Sequence, residues 1–166
     1  MIPQMPNRKI FVFPHFFDVH IPYNAMSPYN RFFDPDYHVQ VTGSIEDSRI
    51  FNGNSKLERT YYDRDVFHMK ALYDSGIRQV DKFVGDALRC LSDAGKLTDS
   101  VIIITADHGE NFGEFGSYFE YGMQLTEGSL KILYIVMTSD KKNRIRYFSA
   151  ALEDLTPTIL SLAMHG

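Results

Sequence analysis

One cysteine and no tryptophan occur among 166 residues, and no apolar run approaches the ~18 residues of a membrane helix. The lone Cys90 excludes an internal disulfide framework and a cysteine-built zinc site, and its helical surroundings predict a small buried apolar residue. Basic residues are in the minority, 17 Lys and Arg against 21 Asp and Glu, for a net charge of −4 with both signs scattered. A nucleic-acid binder would carry a basic stripe, so no nucleic-acid partner is expected. The start, MIPQMPNRKI, shows no apolar signal core behind its basic pair, so no secretory peptide is expected there. Internal repeats and low-complexity segments are absent too. What is present is globular: 44% hydrophobic and 14% aromatic residues suffice for a sizeable core in a single domain spanning 1–166.

Hydrophobic periodicity orders the chain. Residues 9–17, KIFVFPHFF, read as a strand carrying Pro14, so close to Met1 that the domain reads as entered partway through. DVHIPYNAMSPYNRFFDPDY then reads as a long ordered loop held down by its aromatics. Residues 39–60 are a polar excursion. From Arg64 to Ala94 the pattern is helical, with Tyr73, Ile77, Val80, Val84, Leu88 and Leu91 on one stripe and Gly95 as the left-handed stop. A strand at 101–105, a glycine-punctuated loop at 109–122 and an apolar run at 132–137 follow. The tail predicts a helix with Thr156 as N-cap and Pro157 first inside it. Strands separated by helices and long crossovers predict an α/β fold, a mostly parallel sheet sandwiched by helices.

The strand VIIIT ends at Asp107, His108 and Gly109. In open α/β sheets, sites form outside the carboxyl ends of the strands. A carboxylate beside an imidazole supplies one hard oxygen and one borderline nitrogen, donors that suit Mg, Mn or Zn and, less comfortably for the nitrogen, Ca. The bare dipeptide equally fits an aspartate capping a turn beside a surface histidine. In PHFFDVHIPY, His15 falls inside the apolar strand and reads as a core residue. Asp18 could orient a neighbouring group, and His20, just past the strand, is best placed to enter a pocket. With strands 10–17 and 101–105 parallel, His20 and Asp107 would share a rim. A histidine there could protonate a leaving oxygen.

These residues carry a resemblance. FVFPHFFDVHIPYNAMSPYNRFFDP resembles the segment of the sulfatases, in the alkaline-phosphatase-like superfamily, where an apolar strand enters an Asp-x-His-x-Pro-Tyr turn. The helix and strand ending in Asp-His-Gly-Glu, the stretch MQLTEGSLKILYIVM and the closing DLTPTILSLA are similar to later family pieces, in the same order. The resemblance implies an alkaline-phosphatase-like α/β fold and a metal-dependent hydrolase of sulfate monoesters. It implies Asp107 and His108 as ligands of a divalent metal (Ca, Mg or Mn, with Zn as a variant) and His20 as the catalytic residue that contacts the ester and assists its leaving group. The substrate would be a sulfate or phosphate ester of a small molecule or glycan.

The chain also departs from the pattern. The family's Cys/Ser-x-Pro-x-Arg nucleophile and its upstream carboxylates are not found: Cys90 sits in CLSDAG, and SPYNR has its proline one position early. Tyr121 and Gly122 stand near the family's anion-facing Lys or His, with Lys131 a substitute or simply a solvated charge. Phe115 stands where a His often follows, and Leu133 replaces a usual Pro. The chain is therefore expected to be the carboxy-terminal part of a catalytic domain. Its amino-terminal strands would be missing, leaving it inactive alone and, through exposed sheet, prone to self-association. Two further readings stay open: a phosphate or phosphonate hydrolase or phosphoethanolamine transferase of the same superfamily, and a non-catalytic degenerate module.

Overall fold

In the computed structural model, which describes residues 9–57, 60–120, 125–138 and 150–165, the first helix begins at a serine. Helix α1 (Ile45–Phe51) is capped reciprocally: Ser44 Oγ accepts from the Asp47 N–H at 3.2 Å, and Asp47 Oδ2 takes the Ser44 N–H at 3.0 Å. The polar excursion at 39–60 therefore contains a helix, signalled by Ser44 and an acid three residues on. The buried Asp47 carboxylate also receives the N–H and hydroxyl of Thr42 and the hydroxyls of Ser44 and Tyr61. Burial pushes this carboxyl up, but the hydrogen bonds from Tyr61, Thr42 and Ser44 outweigh it and hold it below its ordinary range. Asp47→Ala strands two backbone donors and is expected to cost about 3 kcal/mol in urea denaturation. A loss under about 1 kcal/mol, the worth of an ordinary hydrogen bond, would show the network to be dispensable. The carboxylate's contribution is full above its unfolded pKa of about 3.9 and vanishes as pH falls through the lower folded value.

Helix α2 (Asp63–Asp93) runs 31 residues, within one residue of the predicted limits at each end. Asp63 and Asp65 in its first turn complement the helix dipole, and Asp65 accepts the Tyr62 N–H at 2.9 Å. It stops at Gly95, whose φ of 65° is the left-handed turn expected there. The buried face is not the apolar stripe. It is Asp65, His68, Met69, Ala71, Leu72, Ser75, Gly76 and Gln79, one position around, while Ile77 is exposed. Small and polar residues face inward because α2 packs on irregular backbone, which needs close approach and hydrogen-bond partners. Cys90 is exposed, not buried: all the buried residues of α2 precede it, and none lies beyond Gln79.

Strands β1 (Ile102–Thr105) and β2 (Tyr134–Met137) pair antiparallel, with Ile102 opposite Met137 and Thr105 opposite Tyr134. Between them stands one-turn helix α3 (Glu127–Leu130). Among the described residues of this connection α3 is the one helix, and β2 returns antiparallel beside β1. The parallel sheet expected from the sequence is thus not found among the described residues, where these are the two strands. Residues 9–17 form no strand either. Pro14 removes a donor, and no described strand lies beside them; Ile10, Phe11, Val12, Phe13 and Phe17 are exposed. Ile135, Val136 and Met137 of β2 are exposed as well, so the sheet is not covered on both faces. Helix α4 (Leu155–His165) starts ahead of Thr156, so Thr156 and Pro157 lie inside its first turn. A preceding 3-10 turn supplies the start, with Asp154 accepting the Ala151 N–H at 2.9 Å. No helix among the described residues is long and apolar enough to cross a membrane.

The core lies away from the sheet. Tyr23, Val41, Met69, Leu72 and Phe119 are buried together, with Ile21, Tyr37, Phe51, Tyr61, Tyr73, Phe112 and Tyr118 packed around them. The aromatics of the predicted loop do hold it to the body. This cluster ties residues 21–41 to the amino half of α2 and to the loop beyond β1.

Candidate active site

Where β1 ends, Asp107 Oδ1 accepts the His108 N–H at 3.1 Å and lies 3.9 Å from His108 Nε2. The imidazole's other nitrogen, Nδ1, faces the Gly109 carbonyl at 2.7 Å. A carbonyl only accepts, so Nδ1 carries the proton and Nε2 the lone pair. Two donors to one divalent ion, each roughly 2.0–2.4 Å from it, must lie within about 4.8 Å of each other. The Asp107–His108 pair meets that condition. Among the described residues, no cluster of three or more His, Cys, Asp or Glu side chains could hold a metal alone.

Gly109 is needed here for space. A Cβ at this position would lie 2.0 Å from the Gly128 carbonyl oxygen, and the Gly109 N–H donates to the Ser129 carbonyl at 2.8 Å. The strand end thus packs directly on α3, itself capped by Thr126 Oγ1 accepting from the Ser129 N–H at 3.2 Å. Buried Asn111 joins in, its Oδ1 accepting from Thr126 Oγ1 at 2.6 Å and its Nδ2 donating to the Glu120 carbonyl at 3.0 Å.

Glu110 is the buried carboxyl of the site. Its Oε1 accepts the Asn111 N–H and its Oε2 the Tyr23 hydroxyl, both at 3.1 Å. Burial pushes the Glu110 carboxyl up, opposed by the hydrogen bonds from Asn111 and Tyr23. Burial first, then Glu110, raises the Tyr23 hydroxyl far above its ordinary value. Tyr23 stands three residues beyond His20 and Glu110 two beyond His108, so their hydrogen bond joins the His20 loop to the strand end. Sequence reasoning named neither Glu110 nor Tyr23 as a site residue, although both stand inside the motifs that drew attention to their neighbours.

His20 is half-buried. Its N–H donates to the Phe17 carbonyl at 3.0 Å and its Nδ1 to the Ile21 carbonyl at 2.5 Å. It lines an open groove of about 330 Å³ with Phe17, Asp18, Ile21, Pro22 and Asn24. The loop rests on α2: a Cβ on Gly76 would come 2.4 Å from the Asp18 carbonyl oxygen. Gln79 donates through Nε2 to Asp18 Oδ1 and accepts the Met26 N–H at 2.6 Å. Asp18 thus orients a neighbouring side chain, one of its expected uses. His15 is exposed between the Phe13 and Phe17 rings, not in the core, because the strand that would have buried it is not formed. Lys131 pairs with Glu127 at 3.1 Å, both exposed, which is the solvated alternative. Phe115 and Leu133 are exposed as well. Tyr121 and Gly122 lie outside the described residues.

An α/β chain with a carboxylate–imidazole pair at a strand end and a histidine loop beside it matches a known class. The sulfatase family profile fits residues 2–165, and the chain belongs to that family. Arylsulfatase K of Danio rerio is 27% identical over 104 residues, 62% of this chain and 20% of the relative. An arylsulfatase of Clostridium perfringens is 29% identical over 99 residues, 57% of this chain and 20% of the relative. A multifunctional alkaline phosphatase superfamily protein of Trinickia caryophylli, PehA, is 25% identical over 126 residues, 64% and 24% of the two chains. These matches span about a fifth of the first two relatives' lengths. No solved structure matches.

Proposed function

We propose that the chain is the carboxy-terminal part of the catalytic domain of a metal-dependent hydrolase of sulfate monoesters. The observation that carries this reading is the 3.9 Å approach of Asp107 Oδ1 and His108 Nε2 at the end of β1, next to Glu110, which the His20 loop reaches through the Tyr23 hydroxyl. Asp107 and His108 would hold a divalent ion (Ca, Mg, Mn or Zn), with further ligands and the nucleophile supplied by sequence outside these residues. The bound ion supplies positive charge against the ester's developing oxyanion. His20, with its Nδ1–H held by the Ile21 carbonyl, would present the second N–H of its imidazolium form, at Nε2, to the leaving oxygen and give it that proton. Glu110 and Tyr23 would keep the two segments together, and the groove beside His20 would admit the organic part of a small-molecule or glycan ester.

Joining the chain to an amino-terminal half and assaying nitrophenyl sulfate and nitrophenyl phosphate, with and without chelator, tests this. Faster turnover of the sulfate that stops with chelator is the expected result. In that enzyme, His20→Ala is expected to lower kcat about 10²- to 10⁴-fold for poor leaving groups. Little loss would be seen for nitrophenolate, which departs without a proton. No turnover of either ester with any of the four metals would overturn the reading in favour of a non-catalytic module.

A second reading, phosphate or phosphonate ester chemistry, is favoured by the similarity to PehA and by the imidazole donor of His108. Faster turnover of the phosphate ester would select it. The exposed apolar residues of β2 and of segment 10–13 also lead us to expect self-association of this chain. Light scattering at ~100 μM, where exposed apolar surface commonly associates, checks it; a clean monomer would refute it.

A further inference from the structure

We infer that Gln79, on α2, is the positioning residue for His20, setting where the leaving-group histidine stands; this rests on the role proposed for His20 above. Gln79 is 1% exposed, and a buried amide is costly unless both its ends are satisfied. Both are satisfied by one loop. Its Nε2 donates to Asp18 Oδ1, and its Oε1 accepts the Met26 N–H at 2.6 Å. A carboxylate only accepts and a backbone N–H only donates, so the partners themselves dictate which way the amide faces. The two contacts fall on either side of His20, closing residues 18–26 into a bracket.

One turn earlier on the same helix face, Gly76 leaves room for the loop. A Cβ there would press to 2.4 Å from the Asp18 carbonyl oxygen. Glycine and glutamine three positions apart form a notch and a clasp for one irregular segment. Between the two ties, Tyr23 and Ala25 are buried and Ile21 packs on the core. The Phe17 and Met26 side chains are exposed, so the Met26 tie is made by its backbone alone. On the far side Tyr23 is fixed by its hydroxyl to Glu110 and by its N–H to the Gly43 carbonyl at 2.9 Å. An apolar residue at 79 could fill the space but could not bind a carboxylate and a backbone donor together. A displacement of about 1 Å in a catalytic group can cost 10²-fold in rate, which is the scale of a positioning role.

The test exchanges the donor and acceptor. In the full chain, Gln79→Glu sets two carboxylates against each other. His20 ring ¹⁵N shifts are expected to leave the pattern of an Nδ1-protonated ring, with at least a tenfold faster exchange of the Met26 amide; His108 ring shifts stay unchanged. Adding Asp18→Asn restores both, because the new amide at position 18 donates to the new carboxylate at position 79. Gln79→Ala should move the same His20 signals, but it can lose the fold altogether, and the exchange pair avoids that. Unchanged His20 ring shifts in folded Gln79→Glu, or a double variant no closer to wild type, would overturn the inference. In the enzyme completed with its amino-terminal half, Gln79→Glu should slow poor leaving groups most, and have no further effect on His20→Ala. A completed enzyme without turnover, alongside the NMR pattern above, would sink the hydrolase reading and leave the positioning of His20 standing.

Discussion

Gly109→Ala is expected to cost at least ~3 kcal/mol, the upper range for overpacking, and to loosen the Asp107–His108 strand end. The new methyl would sit 2.0 Å from the Gly128 carbonyl oxygen and 2.9 Å from that of Lys131. Both obstacles are backbone, so no side chain can swing aside. The segment carrying them is pinned by the cap between Thr126 and Ser129 and by the Gly109–Ser129 hydrogen bond. Urea denaturation supplies the number, and exchange of the Gly109 amide reports the local opening. Gly85 is the control of opposite sign. It lies inside α2 with nothing within 4 Å of a built Cβ, so Gly85→Ala should gain about 0.5–1 kcal/mol from helix propensity. Equal effects at the two glycines would refute the close packing of the strand end.

Phe119→Ala should be as damaging, about 3–5 kcal/mol, the cost of removing a fully buried phenyl ring. Phe119 is 0% exposed and meets the rings of Tyr23, Phe51 and Phe112 edge-on, at centroid distances of 6.3, 5.2 and 5.9 Å. Its φ of 53° is unfavourable for a bulky residue. That conformation is held by the Phe119 N–H donating to the Asn111 carbonyl at 2.7 Å and by Ser48 Oγ donating to the Phe119 carbonyl at 3.1 Å. Loss of the ring also removes a wall from Tyr23, whose hydroxyl ties the His20 loop to Glu110. Phe115, four residues earlier and exposed, is the comparison: Phe115→Ala should change stability by less than about 0.5 kcal/mol, the usual range for surface sites. Chemical denaturation of the two variants side by side decides the matter. Similar losses would mean that the aromatic cluster is not the core.

The local features were legible in the residues themselves. Period 3.6 placed α2 within one residue of its ends, the β-branched run 101–105 located β1, and the apolar run 132–137 contains β2. Gly95 marked a left-handed stop, because only glycine takes a φ of 65° without cost. The Asp-His-Gly-Glu string marked the strand end, where two adjacent side chains need no distant partner to approach one another. Local signals failed where a neighbour decides the outcome. KIFVFPHFF has strand composition but no described strand to pair with, so the expected strand and the buried His15 were both lost. The inward face of α2 was misplaced because periodicity finds the apolar stripe, whereas Gly76 and Gln79 face in for what the loop's backbone requires. Composition and periodicity thus determined the long helix, the two strands and the adjacent donor pair. Only tertiary structure brought Glu110 against Tyr23, and Gln79 against Asp18, 61 residues away. Such contacts depend on how buried polar groups find partners across the folded chain, which no stretch of adjacent residues encodes.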